Sequence, residues 1–179
     1  MDARDMGQDL EKVLFTEEQI NDKLVELAAQ IDEHYAGRNI LVVGVLRGAV
    51  MVVADLVRKI HSPVAMDWMA VSSYGAGTKS SGVVRILKDL DTDITDKHVL
   101  IVEDIVDTGE SIEHMIGELK SHNPASIEVC TLFFKPDSYR KQLPIKYRAM
   151  EIGNEFIVGY GLDYDQLGRS LKDIYVVTE

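Results

Sequence analysis

Apolar residues along this chain follow two periods. Thr16-Glu17-Glu18-Gln19 is a capping-box string, predicting Thr16 as N-cap with Gln19 reaching back to it. Ile20, Leu24, Leu27 and Ile31 then recur at helical spacing, and Gly37 stops the element. Residues 39–45 are short, apolar and unbroken, the pattern of a strand buried on both faces. That strand ends at Leu46-Arg47-Gly48 and passes into an apolar helix predicted over 49–60. A β segment over 64–74, a small polar stretch over 75–82 and a returning strand over 83–88 predict a hairpin arm with a mobile tip. Strand 99–105 precedes a helix with Ile112, Met115, Ile116 and Leu119 on one face, and strand 127–134 ends at Lys135-Pro136. Further strands are predicted at 146–152, 156–158 and near 174–177. Strands alternating with helices predict an α/β fold, a mainly parallel sheet flanked by helices, with ligand chemistry at the C-terminal strand ends. Leu46-Arg47-Gly48, the stretch from Glu103 to Ser111, and Lys135 all fall at such ends.

The strand over 99–105 carries a conflict. Its apolar run leads into Glu103, Asp104 and Asp107, three carboxylates within five residues, and then into a hydroxyl-rich turn. A strand buried on both faces should not end in uncompensated negative charge. Either this junction simply faces water, as Asp-Thr-Gly turns often do, or something neutralises it. A sugar polyol, a metal ion and a phosphate held by backbone amides would do so together. Asp107, Thr108, Gly109, Glu110 and Ser111 can form a tight loop opening the following helix. Its free N–H groups and the helix dipole would favour an anion, and Gly109 would let the backbone approach it closely. No Gly-x-x-x-x-Gly-Lys-Ser/Thr string and no Gly-x-Gly-x-x-Gly after a strand occurs, so ATPase and dehydrogenase readings lose their main support.

Composition acts mainly by exclusion. A net charge of −11 argues against non-specific nucleic-acid binding, which relies on clustered lysine and arginine. It leaves an anionic substrate open, because amide dipoles, a few cations and a divalent metal can hold phosphate on an acidic protein. At 179 residues, 46% hydrophobic and 27% charged, the chain suits one soluble globular domain. Its polar, acidic start is not a secretory signal, and its apolar runs are far shorter than a membrane span. The lone Cys130, in a predicted buried strand, reads as core filler suited to a reducing compartment, so a cytoplasmic location is expected. The five histidines lack metal-ligand spacing, and the four carboxylates over 89–96 read as a solvated turn.

VEDIVDTG, Val102 to Gly109, resembles the phosphoribosyl pyrophosphate signature of the purine phosphoribosyltransferases. Leu46-Arg47-Gly48 resembles their pyrophosphate loop, and Ser72-Ser73-Tyr74-Gly75 the start of their flexible catalytic loop. Phe133-Phe134-Lys135-Pro136 and the segment from Phe156 to Tyr164 resemble purine-binding segments of the hypoxanthine-guanine members. The five motifs stand in family order. The resemblance implies a type I phosphoribosyltransferase fold in a single domain over 1–179, with a flexible hairpin loop and a small hood subdomain. The hood would be built from the N-terminal segment and about 145–179.

It also implies purine salvage: transfer of a 5-phosphoribosyl group from phosphoribosyl pyrophosphate to N9 of hypoxanthine or guanine, with Mg²⁺ as cofactor and a homodimer or homotetramer as assembly. Glu103 and Asp104 would contact the ribose hydroxyls directly or through Mg²⁺, the 107–111 loop would hold the 5′-phosphate, and Asp107 would be the general acid/base near purine N7. Ser73 and Tyr74 would donate to the departing pyrophosphate, Asp163 would bind a second Mg²⁺ and Arg169 would contact pyrophosphate. Phe156 would stack on the purine, with the Ile157 and Asp163 backbone reading its edge. Lys135 is donor-only, so it can bond a 6-oxo group but cannot accept from the 6-amino group of adenine; leaving that pair unsatisfied costs about 1–3 kcal/mol. Arg47 stands where much of the family has lysine, and Ser111 replaces the commoner threonine. A regulator on the same fold, or a transferase using adenine, orotate or uracil, are the competing readings. The negative charge weighs against the first; Lys135 and the Phe156 segment weigh against the second.

Overall fold

The computed structural model describes residue 6, residues 10–74 and residues 83–177. In chain order the elements are β1 (Leu10–Phe15), α1 (Glu17–Tyr35), β2 (Ile40–Leu46), α2 (Val50–Val57), β3 (Val64–Tyr74), β4 (Val83–Lys88), β5 (His98–Val106), α3 (Glu110–Lys120), β6 (Ser126–Phe134), β7 (Tyr147–Glu151), β8 (Ile157–Val158) and β9 (Ile174–Val177). Six strands form a sheet in the order β4-β3-β2-β5-β6-β7, and three form a second sheet in the order β1-β9-β8. All neighbours in the larger sheet run parallel except β3 and β4, which form the antiparallel arm.

Local chemistry sets α1. Thr16 Oγ1 accepts from the Gln19 N–H, and Gln19 Oε1 accepts from the Thr16 N–H at 2.9 Å, so the capping box closes as expected. Ile20, Leu24, Leu27 and Ile31 are at most 1% exposed, each burial contributing about 1.5–3 kcal/mol. Ala36 in the left-handed region, followed by Gly37 at φ 77°, ends the helix. Side-chain alternation divides the core. Val42, Leu100, Val102, Cys130 and Leu132 pack towards α1 and α2, whereas Val43, Ile101 and Val129 pack towards α3.

Two elements depart from the sequence pattern. β1 was not expected: its residues alternate poorly, and it is a strand because it pairs with β9, from Leu10 opposite Val177 to Phe15 opposite Ile174, with irregular register. α2 stops at Val57 instead of 60, because the chain must turn into β3. There Asp32 on α1 accepts the backbone N–H groups of His61 and Ser62 at 2.8–3.0 Å. β7 falls where a strand is predicted over 146–152, and it joins the large sheet beside β6.

Candidate active site

The C-terminal ends of β2, β5 and β6 open on one side of the large sheet, and a cleft of about 790 Å³ lies there. β5 shows how burial gives way to chemistry. Val99 through Val102 are fully buried, and the next two side chains, Glu103 and Asp104, reach the cleft partly exposed. Asp104 Oδ1 accepts its neighbour Ile105 N–H at 2.7 Å. Burial pushes the Asp104 carboxyl up to about 6, against the pull of the Ile105 N–H and the Arg169 guanidinium. Burial also drives Glu103 well above the usual carboxylate range, and the Asp104 charge adds to it.

The two carboxylates meet different neighbours. Asp104 packs against the Leu46-Arg47-Gly48 turn, where the Leu46–Arg47 peptide is cis. Glu103 borders both the large cleft and an adjoining cavity of about 110 Å³ over the 107–111 loop. That smaller cavity is lined by Asp107, Thr108, Gly109, Glu110 and Ser111. Gly109, at φ 88°, is the N-cap of α3 and makes no side-chain cap; the Glu110 N–H donates to Thr108 Oγ1 at 3.5 Å, and the first turn of the helix lines the cavity.

The opposite wall comes from the C-terminal third. Gly159, Tyr160 and Gly161 all have positive φ, at 117°, 46° and 100°. A Cβ on Gly161 would stand 2.1 Å from the Gly48 carbonyl oxygen, so the two backbones touch. Arg169 donates to the Gly161 carbonyl at 2.7 Å and pairs with Asp163 at 2.8 Å. The Tyr160 hydroxyl donates to the Asp55 carboxylate on α2, anchoring the turn to the main body. Lys135 Nζ donates to the Glu155 carbonyl at 3.0 Å, and exposed Phe156 meets Tyr164 edge-on at 5.8 Å.

The cleft therefore gathers Leu46, Arg47, Gly48, Glu103, Asp104, Asp107, Ser111, Lys135, Phe156, Ile157, Asp163 and Arg169, while Thr108, Gly109 and Glu110 line the adjoining cavity. Ser73 and Tyr74 end β3, opposite Val84 and Val83; their side chains and residues 75–82 lie outside the described residues. Sequence reasoning missed Gln166, whose only signal was its place between Asp163 and Arg169; it too borders the cleft. Glu103, Asp104 and Asp163 offer hard carboxylate oxygens suited to Mg²⁺, and burial leaves the first two short of solvation. No group of three potential ligands stands ready among the described residues.

Fold and cleft together define an α/β protein whose acidic, amide-lined cleft lies at the C-terminal ends of its parallel strands. Residues 14–165 match the family model described as phosphoribosyl transferase domain. The hypoxanthine-guanine phosphoribosyltransferase of Mycobacterium tuberculosis (strain H37Rv) is 49% identical over 172 residues, covering 93% of this chain and 85% of that one. Among solved structures, a Staphylococcus aureus hypoxanthine phosphoribosyltransferase superposes with a TM-score of 0.93 at 40% identity, covering 99% of this chain and 96% of that one. A Bacillus anthracis hypoxanthine-guanine phosphoribosyltransferase with HEPES in its active site gives 0.91 at 39% identity, covering 94% and 99%. The chain belongs to the phosphoribosyltransferases, and among them to the hypoxanthine-guanine phosphoribosyltransferase family. Its fold is accordingly the type I phosphoribosyltransferase fold.

Proposed function

We propose that this enzyme serves purine salvage, joining N9 of hypoxanthine or guanine to the anomeric carbon of phosphoribosyl pyrophosphate and releasing pyrophosphate. The observation that carries this reading is the cleft and its adjoining cavity, which bring together the acidic end of β5, the amide-rich loop opening α3 and the Lys135–Phe156 wall. The 5′-phosphate would sit in the 107–111 cavity, where α3 begins without a side-chain cap. Glu103 and Asp104 would accept from the ribose hydroxyls, and relief of their poor solvation would favour a polyol or cation there. Mg²⁺, held through Glu103, Asp104 and Asp163, would supply charge neutralisation for the leaving pyrophosphate.

Asp107 would exchange a proton with purine N7 as N9 forms its bond. Arg47 and Arg169 would bind the pyrophosphate, holding it more tightly as charge builds in the transition state. Ser73 and Tyr74 join them as donors by family resemblance. Lys135 would leave its resting contact with the Glu155 carbonyl for the purine 6-oxo group, and Phe156 would stack on the ring, with Ile157 and the Asp163 backbone at its edge. We further propose that residues 1–179 work as one domain with the β1-β9-β8 sheet as hood. No described helix is long and apolar enough to cross a membrane. A cytoplasmic homodimer or homotetramer is the form proposed, by family resemblance.

The test is direct. Purified protein with Mg²⁺ and phosphoribosyl pyrophosphate is offered hypoxanthine, guanine, xanthine, adenine and uracil separately, and nucleotide is measured. Formation of IMP or GMP with little AMP supports the reading; no nucleotide from any base, or adenine used as fast as hypoxanthine, overturns it.

A further inference from the structure

Gln166 occupies a position where a side chain comes at a conformational cost. Tyr164 and Leu167 exchange backbone hydrogen bonds at 2.9 and 3.0 Å, and the two residues between them, Asp165 and Gln166, both have positive φ, at 47° and 68°. This is a two-residue turn of the kind in which glycine is preferred at the second central position. Glutamine there gives up the relaxed backbone that glycine would offer. What the side chain gains in return is a hydrogen bond. Its Oε1 accepts from the Arg47 guanidinium at 3.1 Å, across 119 residues of sequence. The Gln166 backbone N–H, meanwhile, donates to Asp163 Oδ2 at 2.9 Å, and Asp163 Oδ1 pairs with Arg169 at 2.8 Å. One residue thus joins the β2–α2 turn to the Asp163–Arg169 pair, and both rims border the same cleft.

The chemistry of the acceptor matters. A carboxylate here would form an ion pair with Arg47 and compete with any anion for the guanidinium. An amide oxygen accepts one N–H and leaves the cationic charge and the remaining donors free. We propose that Gln166 is a positioning residue: it holds Arg47 at the cleft rim by a neutral acceptor, so that the guanidinium is pre-placed and undischarged for the pyrophosphate of the sugar donor. This rests on the phosphoribosyl-transfer reading above.

The test is a double-mutant cycle on the full-length protein, reading calorimetric binding of inorganic pyrophosphate with Mg²⁺, steady-state kinetics and thermal unfolding. Gln166→Gly relaxes the turn, so its Tm should hold or rise, yet pyrophosphate affinity should fall about threefold, with the donor KM following and kcat within about twofold. Gln166→Glu should weaken binding about tenfold. In an Arg47→Ala background both effects should shrink to less than half on a logarithmic scale. Equal losses in both backgrounds, no loss in either, or a loss that tracks a falling Tm would overturn the proposal. An active wild type with an additive cycle removes only the role of Gln166. A wild type that neither binds pyrophosphate nor uses the donor removes the phosphoribosyl-transfer reading and this proposal with it.

Discussion

The Asp104 carboxylate fills the space that a side chain at position 48 would need: its Oδ2 lies 1.7 Å from where a Cβ on Gly48 would stand. The turn after β2 and the end of β5 are thereby fitted to one another where both line the cleft. Gly48→Ala should displace the carboxylate and raise the donor KM about tenfold or more while changing Tm by only a few degrees. Steady-state kinetics with a thermal melt checks this; a variant with wild-type donor KM would show that the fit has no bearing on substrate.

Asp104 also sets stability against function. Its carboxylate is held in a poorly solvating site, so Asp104→Asn should raise the Tm of the ligand-free protein by a few degrees. The same change should weaken donor binding about tenfold or more, because a neutral amide is a poorer ligand for a cation. Calorimetry with and without the donor and Mg²⁺ separates the two effects.

Asp107 is expected to act on turnover. Asp107→Asn should lower kcat about a hundredfold or more with the donor KM within a few-fold, the pattern of a group needed for proton transfer. A raised donor KM at unchanged kcat would reassign Asp107 to binding.

Lys135 should govern the base and leave the sugar alone. Lys135→Met should raise the hypoxanthine KM about tenfold to a hundredfold and leave the donor KM unchanged. Adenine discrimination should fall with it, read as the ratio of kcat/KM for the two bases.

The turn between α2 and β3 gives a pH prediction. Burial works against ionisation of Asp32, but the backbone N–H groups of His61 and Ser62 outweigh it and hold the carboxyl at about 2. A carboxyl depressed in the folded state stabilises above its unfolded value and loses that contribution as it is protonated. Between about pH 4 and pH 2 the wild type should therefore lose about 1–2 kcal/mol that an Asp32→Ala variant lacks throughout. Urea unfolding at pH 7, 4 and 2.5 measures the gap, which should close towards the acid end.

Much of this molecule is legible in its residues. The capping box of α1, the apolar core of β5 and the buried stripe of α3 depend on neighbours a few positions apart, so spacing alone reveals them. β1 was not legible, because its strand conformation depends on β9 at the far end of the chain. The acidic end of β5 announced itself as a conflict between burial and charge, whereas Gln166 carries no such conflict and went unread.

What the sequence determined by itself was the alternation of strands and helices, the 103–111 string and the family order of its motifs, since each is written in contiguous residues. Only the tertiary structure decided that Gly161 touches Gly48, that Arg47 reaches Gln166, and that Asp104 needs a glycine opposite it. These are contacts between chain segments brought together by packing, and local periodicity holds no information about which distant backbone will arrive within ångströms of another.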